Sequence, residues 1–95
     1  MDLEVAIAPC KDGNSAGMIQ AMEEAGTQAL LSVPGCNSVK VLPGVENPGT
    51  VILMIEWDSV DAHNAGTSTE GFGAFLAAAG PFLGEGITMQ HFRLS

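Results

Sequence analysis

Val51-Ile52-Leu53-Met54-Ile55 is apolar at every position, and Trp57 closes the run two residues later. Successive side chains of a strand point to opposite faces, so this stretch is apolar on both sides and belongs in the centre of a covered sheet. Working outward, Ser38 to Leu42 reads as the preceding strand and ends at Pro43. Proline lacks the N–H that a ladder uses, which puts that strand on an edge. Gly44 to Gly49 is a turn-rich connection between the two. Upstream, Leu3 to Ala8 alternates partly and is ended by Pro9; downstream, Ile87 to Leu94 supplies a last strand.

Between the first two strands, Met18, Met22, Ala25 and Ala29 recur at helical spacing, with Ile19 and Leu30 beside them. Gln20, Glu23, Glu24 and Gln28 form the wet flank, so Ala16 to Leu31 is predicted as one amphipathic helix. Asp12 to Ser15 offers N-caps, and Pro34-Gly35 stops the helix. Gly17 and Gly26 each weaken it by about 1 kcal/mol relative to alanine unless close packing requires them. After Trp57, Asp58 or Ser59 caps a short helix through Ala65. Thr67-Ser68-Thr69-Glu70 reads as a capping box with Thr67 at the cap. Phe72, Phe75, Leu76 and Ala79 then share one face before Gly80-Pro81 breaks the helix.

The order β-α-β-β-α-β, with its second helix in two pieces, is the ferredoxin-like α+β plan: an antiparallel sheet with helices on one face. Strands one and three lie in the centre, and two and four at the edges. The third strand is apolar on both faces, so the side away from the helices needs a second subunit. The expectation is one domain over residues 1–95 that works as a homodimer.

Composition agrees. Of 95 residues, 46% are hydrophobic and only 15% charged, more apolar surface than so small a domain can bury alone. The net charge of −8 repels phosphate backbones and anionic lipid, so neither nucleic acid nor membrane is an expected partner. The opening Met1-Asp2-Leu3-Glu4 is acidic where a secretion signal is basic, and the chain reads as cytoplasmic. Cys10 and Cys36 lack any Cys-x-x-Cys spacing and read as reduced, buried and structural; joined to His63 and His91 they show no metal-ligand spacing.

The second half is similar to a known family. An apolar strand ending in Glu56-Trp57-Asp58, then Ser59-Val60-Asp61-Ala62-His63, Phe72 and Phe75, Gly80-Pro81-Phe82-Leu83, and Gln90-His91-Phe92 together resemble the antibiotic biosynthesis monooxygenases, which are dimeric α+β barrel proteins. The resemblance spans roughly Gly49 to Phe92. It implies the fold, a dimer and a pocket for a small, apolar molecule, within a superfamily that includes cofactor-free oxygenases, polyketide cyclases, haem-degrading enzymes and lyases. The departures speak against two of these. Haem-degrading relatives carry an asparagine in the first strand, absent from Leu3 to Ala8, and His63 follows Trp57 too soon to match their ligand. Plant-type cyclases use a tyrosine and a histidine; this chain has no tyrosine, and Phe72 falls at that histidine's position. Many relatives place an aromatic residue where this chain has Gly66, which would enlarge a pocket that Gly66 faced.

His63 is the leading candidate base, since it shares a stripe with Val60 and a neutral imidazole in an apolar pocket takes a proton near neutral pH. The bland alternative is a solvated histidine or one bonded to Asp61. Asn64 could hold a developing oxyanion, and Trp57 could stack on an aromatic substrate, although a lone tryptophan is more often packing. Phe72, Phe75 and Phe82 are core first and pocket wall second. His91 reads as a dimer contact ahead of a ligand contact, and Glu56 as an interface residue that pairs with Lys40 or Arg93. No phosphate loop or nucleophile elbow occurs. The expected activity is a monooxygenase-like conversion of a small aromatic or polyketide-type molecule without metal, flavin or haem. A cyclase, isomerase or lyase using His63, or a non-catalytic binding dimer, remain as alternatives.

Overall fold

A computed structural model describes all 95 residues. Four strands, β1 (Asp2–Pro9), β2 (Cys36–Pro43), β3 (Thr50–Trp57) and β4 (Thr88–Arg93), form one antiparallel sheet in the order β2-β3-β1-β4. The all-apolar strand and β1 are therefore central, and Pro43 lies on an edge, as the sequence predicts. Helices α1 (Ser15–Ala21), α2 (Thr27–Leu31), α3 (Val60–Gly66) and α4 (Glu70–Ala79) supply the second layer. This is the α+β ferredoxin-like fold.

The core sits between the layers. Ala6 and Ala8 of β1 and Val51, Leu53, Ile55 and Trp57 of β3 face it, against Met18, Met22, Leu30, Phe75 and Ala79. On the other side, Leu3, Val5, Ile7, Ile52, Met54 and Phe92 are at least partly exposed, so the sheet carries a second apolar face without a layer of its own.

The first helix is interrupted. A π-helical turn over Met22–Gly26 joins α1 to α2, and the buried positions are Met18, Met22, Gly26 and Leu30, with Ala25 exposed. Residues four apart drift around a regular helix of 3.6 residues per turn; one wider turn restores them to a single face. The glycines answer a packing demand. A Cβ at Gly26 would stand 2.6 Å from Met22 Sδ, and one at Gly17 would stand 2.6 Å from the Phe82 ring.

Two further expectations need correction. Thr67 is the C-cap of α3, with helical backbone angles and its hydroxyl donating to the Asn64 carbonyl at 2.8 Å, and so lacks the extended backbone of an N-cap. Thr69 is extended and accepts from the Phe72 N–H at 3.3 Å, and α4 begins two residues later than predicted. Leu76 is 46% exposed; the buried arc runs through Phe75 and Ala79, and one residue of helix turns Leu76 about 100° away from Phe75.

Candidate active site

Antiparallel register sets side chains in rows across the helix-facing side of the sheet. One row is His91, Glu4, Ile55 and Val39; the next is Arg93, Asp2, Trp57 and Cys36. The alternation that hides Ala6 and Ala8 therefore also carries Glu4 inside, where it is 8% exposed. A carboxylate in that setting needs partners. Its Oε1 accepts a hydrogen bond from Trp57 Nε1–H at 3.0 Å, and His63 Nε2 lies 3.4 Å from the same oxygen.

His63 reaches this point from α3. Ser59 caps that helix by accepting from the Ala62 N–H at 3.0 Å, and Asp2 Oδ2 accepts from the Val60 N–H at 3.0 Å, which ties the start of α3 to β1. The His63 ring stacks on the Trp57 indole with centroids 4.8 Å apart and planes within 12°. Its Nδ1 is 2.7 Å from His91 Nε2, and the Phe72 ring lies 6.5 Å away on centroids. Burial pushes the His63 pKa below its ordinary value; the Glu4 charge opposes that and His91 adds to it. No buried side-chain polar atom in the molecule lacks a partner.

Of the residues singled out from sequence, Trp57, His63, Phe72 and His91 converge, with Phe75 edge-on to Phe72 at 5.5 Å. The others lie elsewhere. Asn64 is exposed on α3. Phe82 packs over Gly17. Gly66 opens no interior space, because a Cβ there would stand 2.7 Å from Val33 Cγ1 and 3.4 Å from the Trp57 indole. Its outer side borders an open surface cleft of about 330 Å³ with Pro34, Gly35 and Asp58.

The partners also differ from expectation. His63 meets Glu4 rather than Asp61. His91 shares the inward row with Glu4, so it turns toward the helices and not toward the bare sheet face. Glu56 does lie on the bare face, but its carboxylate accepts from the Ser38 hydroxyl, while Arg93 pairs with Asp2 at 3.2 Å. Glu4 is the member of this candidate site that sequence reasoning missed. The signal was present: Asp2 and Glu4 are both in register with Ala6 and Ala8, and Glu4 is the deeper of the two.

Cys10 and Cys36 are unpaired and buried; burial raises both thiol pKa values, that of Cys36 to about 11 with a further push from Glu4. Neither joins the histidines. Glu4, His63 and His91 each offer a ligand atom within 4.8 Å of the others. His63 spends its two nitrogens on opposite edges, one toward each partner, so the arrangement is a chain of contacts and not a set of lone pairs aimed at one centre.

A ferredoxin-like sheet with a carboxylate–imidazole–imidazole chain between sheet and helices places the protein in the α+β class. The chain belongs to the antibiotic biosynthesis monooxygenase family, whose model matches residues 6–78. Solved structures similar to it include a Bordetella bronchiseptica protein named for that family, with TM-score 0.88 and 19% identity over 99% of this chain and 96% of the other. A second, from Nitrosomonas europaea, has TM-score 0.75 and 13% identity over 98% and 97%. A third, from Caulobacter crescentus, has TM-score 0.75 and 19% identity over 96% and 86%. No curated protein matches the chain.

Proposed function

We propose that the protein is a cofactor-independent monooxygenase acting on a small aromatic or polyketide-type molecule, and that it works as a cytoplasmic homodimer. The observation that carries this reading is the Glu4–His63–His91 chain stacked on Trp57 in an apolar interior. An acidic phenol or a C–H beside a carbonyl loses its proton to an imidazole near neutral pH. The electron-rich anion so formed reacts with dioxygen itself, which leaves the protein to deprotonate, orient and exclude water. Trp57 and Phe72 supply the apolar surround and the imidazoles supply the base. The dimer is supported by the uncovered apolar sheet face, and the unpaired thiols suit a reducing compartment.

The test is oxygen uptake by chelator-treated protein given a panel of anthrones and related phenols. Uptake that survives the chelator and is lost in a folded His63→Ala, His91→Ala double variant is expected. Product formed without oxygen consumption would overturn the monooxygenase reading in favour of a cyclase, isomerase or lyase; unchanged substrate across the panel would leave a binding protein.

A further inference from the structure

We infer that His91 Nδ1 is the atom that takes the substrate's proton, and that His63 is a relay that moves the resulting charge back to Glu4. The inference rests on the base chemistry proposed above and assigns its parts.

His63 has no free edge. Its Nδ1 is engaged by His91 at 2.7 Å and its Nε2 by Glu4 at 3.4 Å. One face is covered by the Trp57 indole, and the residue as a whole is 6% exposed. A substrate proton cannot reach either nitrogen without breaking a contact. His91 is different. Only its Nε2 is bonded within the protein, the residue is partly exposed, and no buried polar atom is left without a partner, so its Nδ1 is open to whatever enters.

Donor and acceptor arithmetic then sets the protons. A bare nitrogen lone pair 3.4 Å from a carboxylate oxygen would be repelled by it, so the nitrogen facing Glu4 carries hydrogen and neutral His63 is the Nε2–H form. Its Nδ1 is therefore a lone pair, and the 2.7 Å contact requires His91 to donate from Nε2. Neutral His91 is thereby also held as the Nε2–H tautomer, with a bare lone pair on Nδ1 at the open side. The indole N–H of Trp57 fixes the Glu4 oxygen at the other end. The same buried carboxylate thus decides which nitrogen of the second ring is basic, across one ion-pair contact and one hydrogen bond.

The step balances without another reagent. The substrate X–H bond breaks, its electron pair stays on the substrate as an enolate or phenolate, and a new N–H forms at His91 Nδ1. The His91 Nε2–H bond breaks as its proton passes to His63 Nδ1. His91 ends neutral in the opposite tautomer, and His63 ends as an imidazolium beside the Glu4 carboxylate. Reversal of the two transfers returns the proton to the product.

The experiment is long-range proton–nitrogen correlation NMR on histidine-labelled protein in the slightly alkaline range. Wild type is expected to show hydrogen on Nε2 and a bare Nδ1 at both His63 and His91. His63→Asn keeps an acceptor for His91 and is expected to preserve the His91 tautomer; His63→Leu removes it and is expected to release a mixture. Hydrogen on His91 Nδ1 in the wild type, or an unmixed Nε2–H form in His63→Leu, would overturn the relay. These spectra need no substrate, so they stand apart from the oxygen assay. With any anthrone or phenol that the enzyme turns over, His91→Gln should lower kcat at least about a hundredfold with KM little changed. Turnover retained in His91→Gln but lost in His63→Asn would overturn the assignment while leaving the proposed reaction in place.

Discussion

Replacing Glu4 separates two roles of one carboxylate. Leucine at this position fills similar space but leaves Trp57 Nε1–H, on a residue that is 0% exposed, without an acceptor. An orphaned buried donor costs about 1–3 kcal/mol, and in a domain of this size each 1 kcal/mol lowers Tm by about 4–8 °C. Glu4→Leu should therefore lower Tm by about 4–24 °C. Glu4→Gln keeps an oxygen for the indole and loses only the charge assistance, about 1 kcal/mol. The assay is thermal unfolding followed by circular dichroism at fixed protein concentration, repeated from neutral to mildly acidic pH.

The pH series carries its own sign. The native His63 pKa lies below its ordinary value of 6.5, so the unfolded chain binds more protons as the medium is acidified. Stability is full above that ordinary value and falls as pH drops through the native one. Glu4 opposes the lowering, so both variants should lose more stability on acidification than wild type. A Glu4→Leu protein as stable as wild type at neutral pH would refute the reasoning, because buried polar pairs can be replaced by apolar residues without loss only when no partner is stranded.

Gly66→Ala drives a Cβ to 2.7 Å from Val33 Cγ1, and Val33 is only 2% exposed and branched at Cβ. Overpacking of about 1–3 kcal/mol, offset by up to about 1 kcal/mol of helix propensity, should lower Tm and alter the fluorescence of the single tryptophan; neither changing would contradict the tight contact. Ile7→Lys alters a side chain that is 50% exposed on the bare sheet face. Such a change in a monomer stays within about 0.5 kcal/mol, so light scattering should report a dimeric wild type and a variant at the single-chain mass of 9.8 kDa. A monomeric wild type would remove the dimer from the proposal.

The strand order was legible because it rests on two strong local signals, Pro43 at an edge and an unbroken apolar run from Val51 to Ile55. Helix details were not. The π-helical turn depends on whether the layer above has room for a wider turn, and four-residue spacing from Met18 to Leu30 alone does not report that. The α4 cap moved to Thr69 because α3 ran on through Gly66, a tertiary choice between two adequate threonines. In the site, Trp57 could be named from the apolar strand it closes, and His63 from the helical stripe it shares with Val60. Its chemistry could not, because Glu4 and His91 meet His63 through pairings between the first strand, the last strand and a helix between them. His91 was the instructive case: one position of register decides whether it belongs to a dimer contact or to the interior.

The central place of β1 has a consequence for how the protein is made. Its neighbours in the sheet are β3 and β4, so the strand synthesised first waits for residues about fifty and then about ninety positions later in the chain. Closing loops of that length before any contact rewards them slows folding, and the emerging β1 has no paired edge while it waits. The Glu4–His91 pairing belongs to the last of these closures. A ribosome-bound chain lacking β4 therefore lacks His91, and the Glu4–His63–His91 chain on which the proposed base depends comes into being only with the finished sheet.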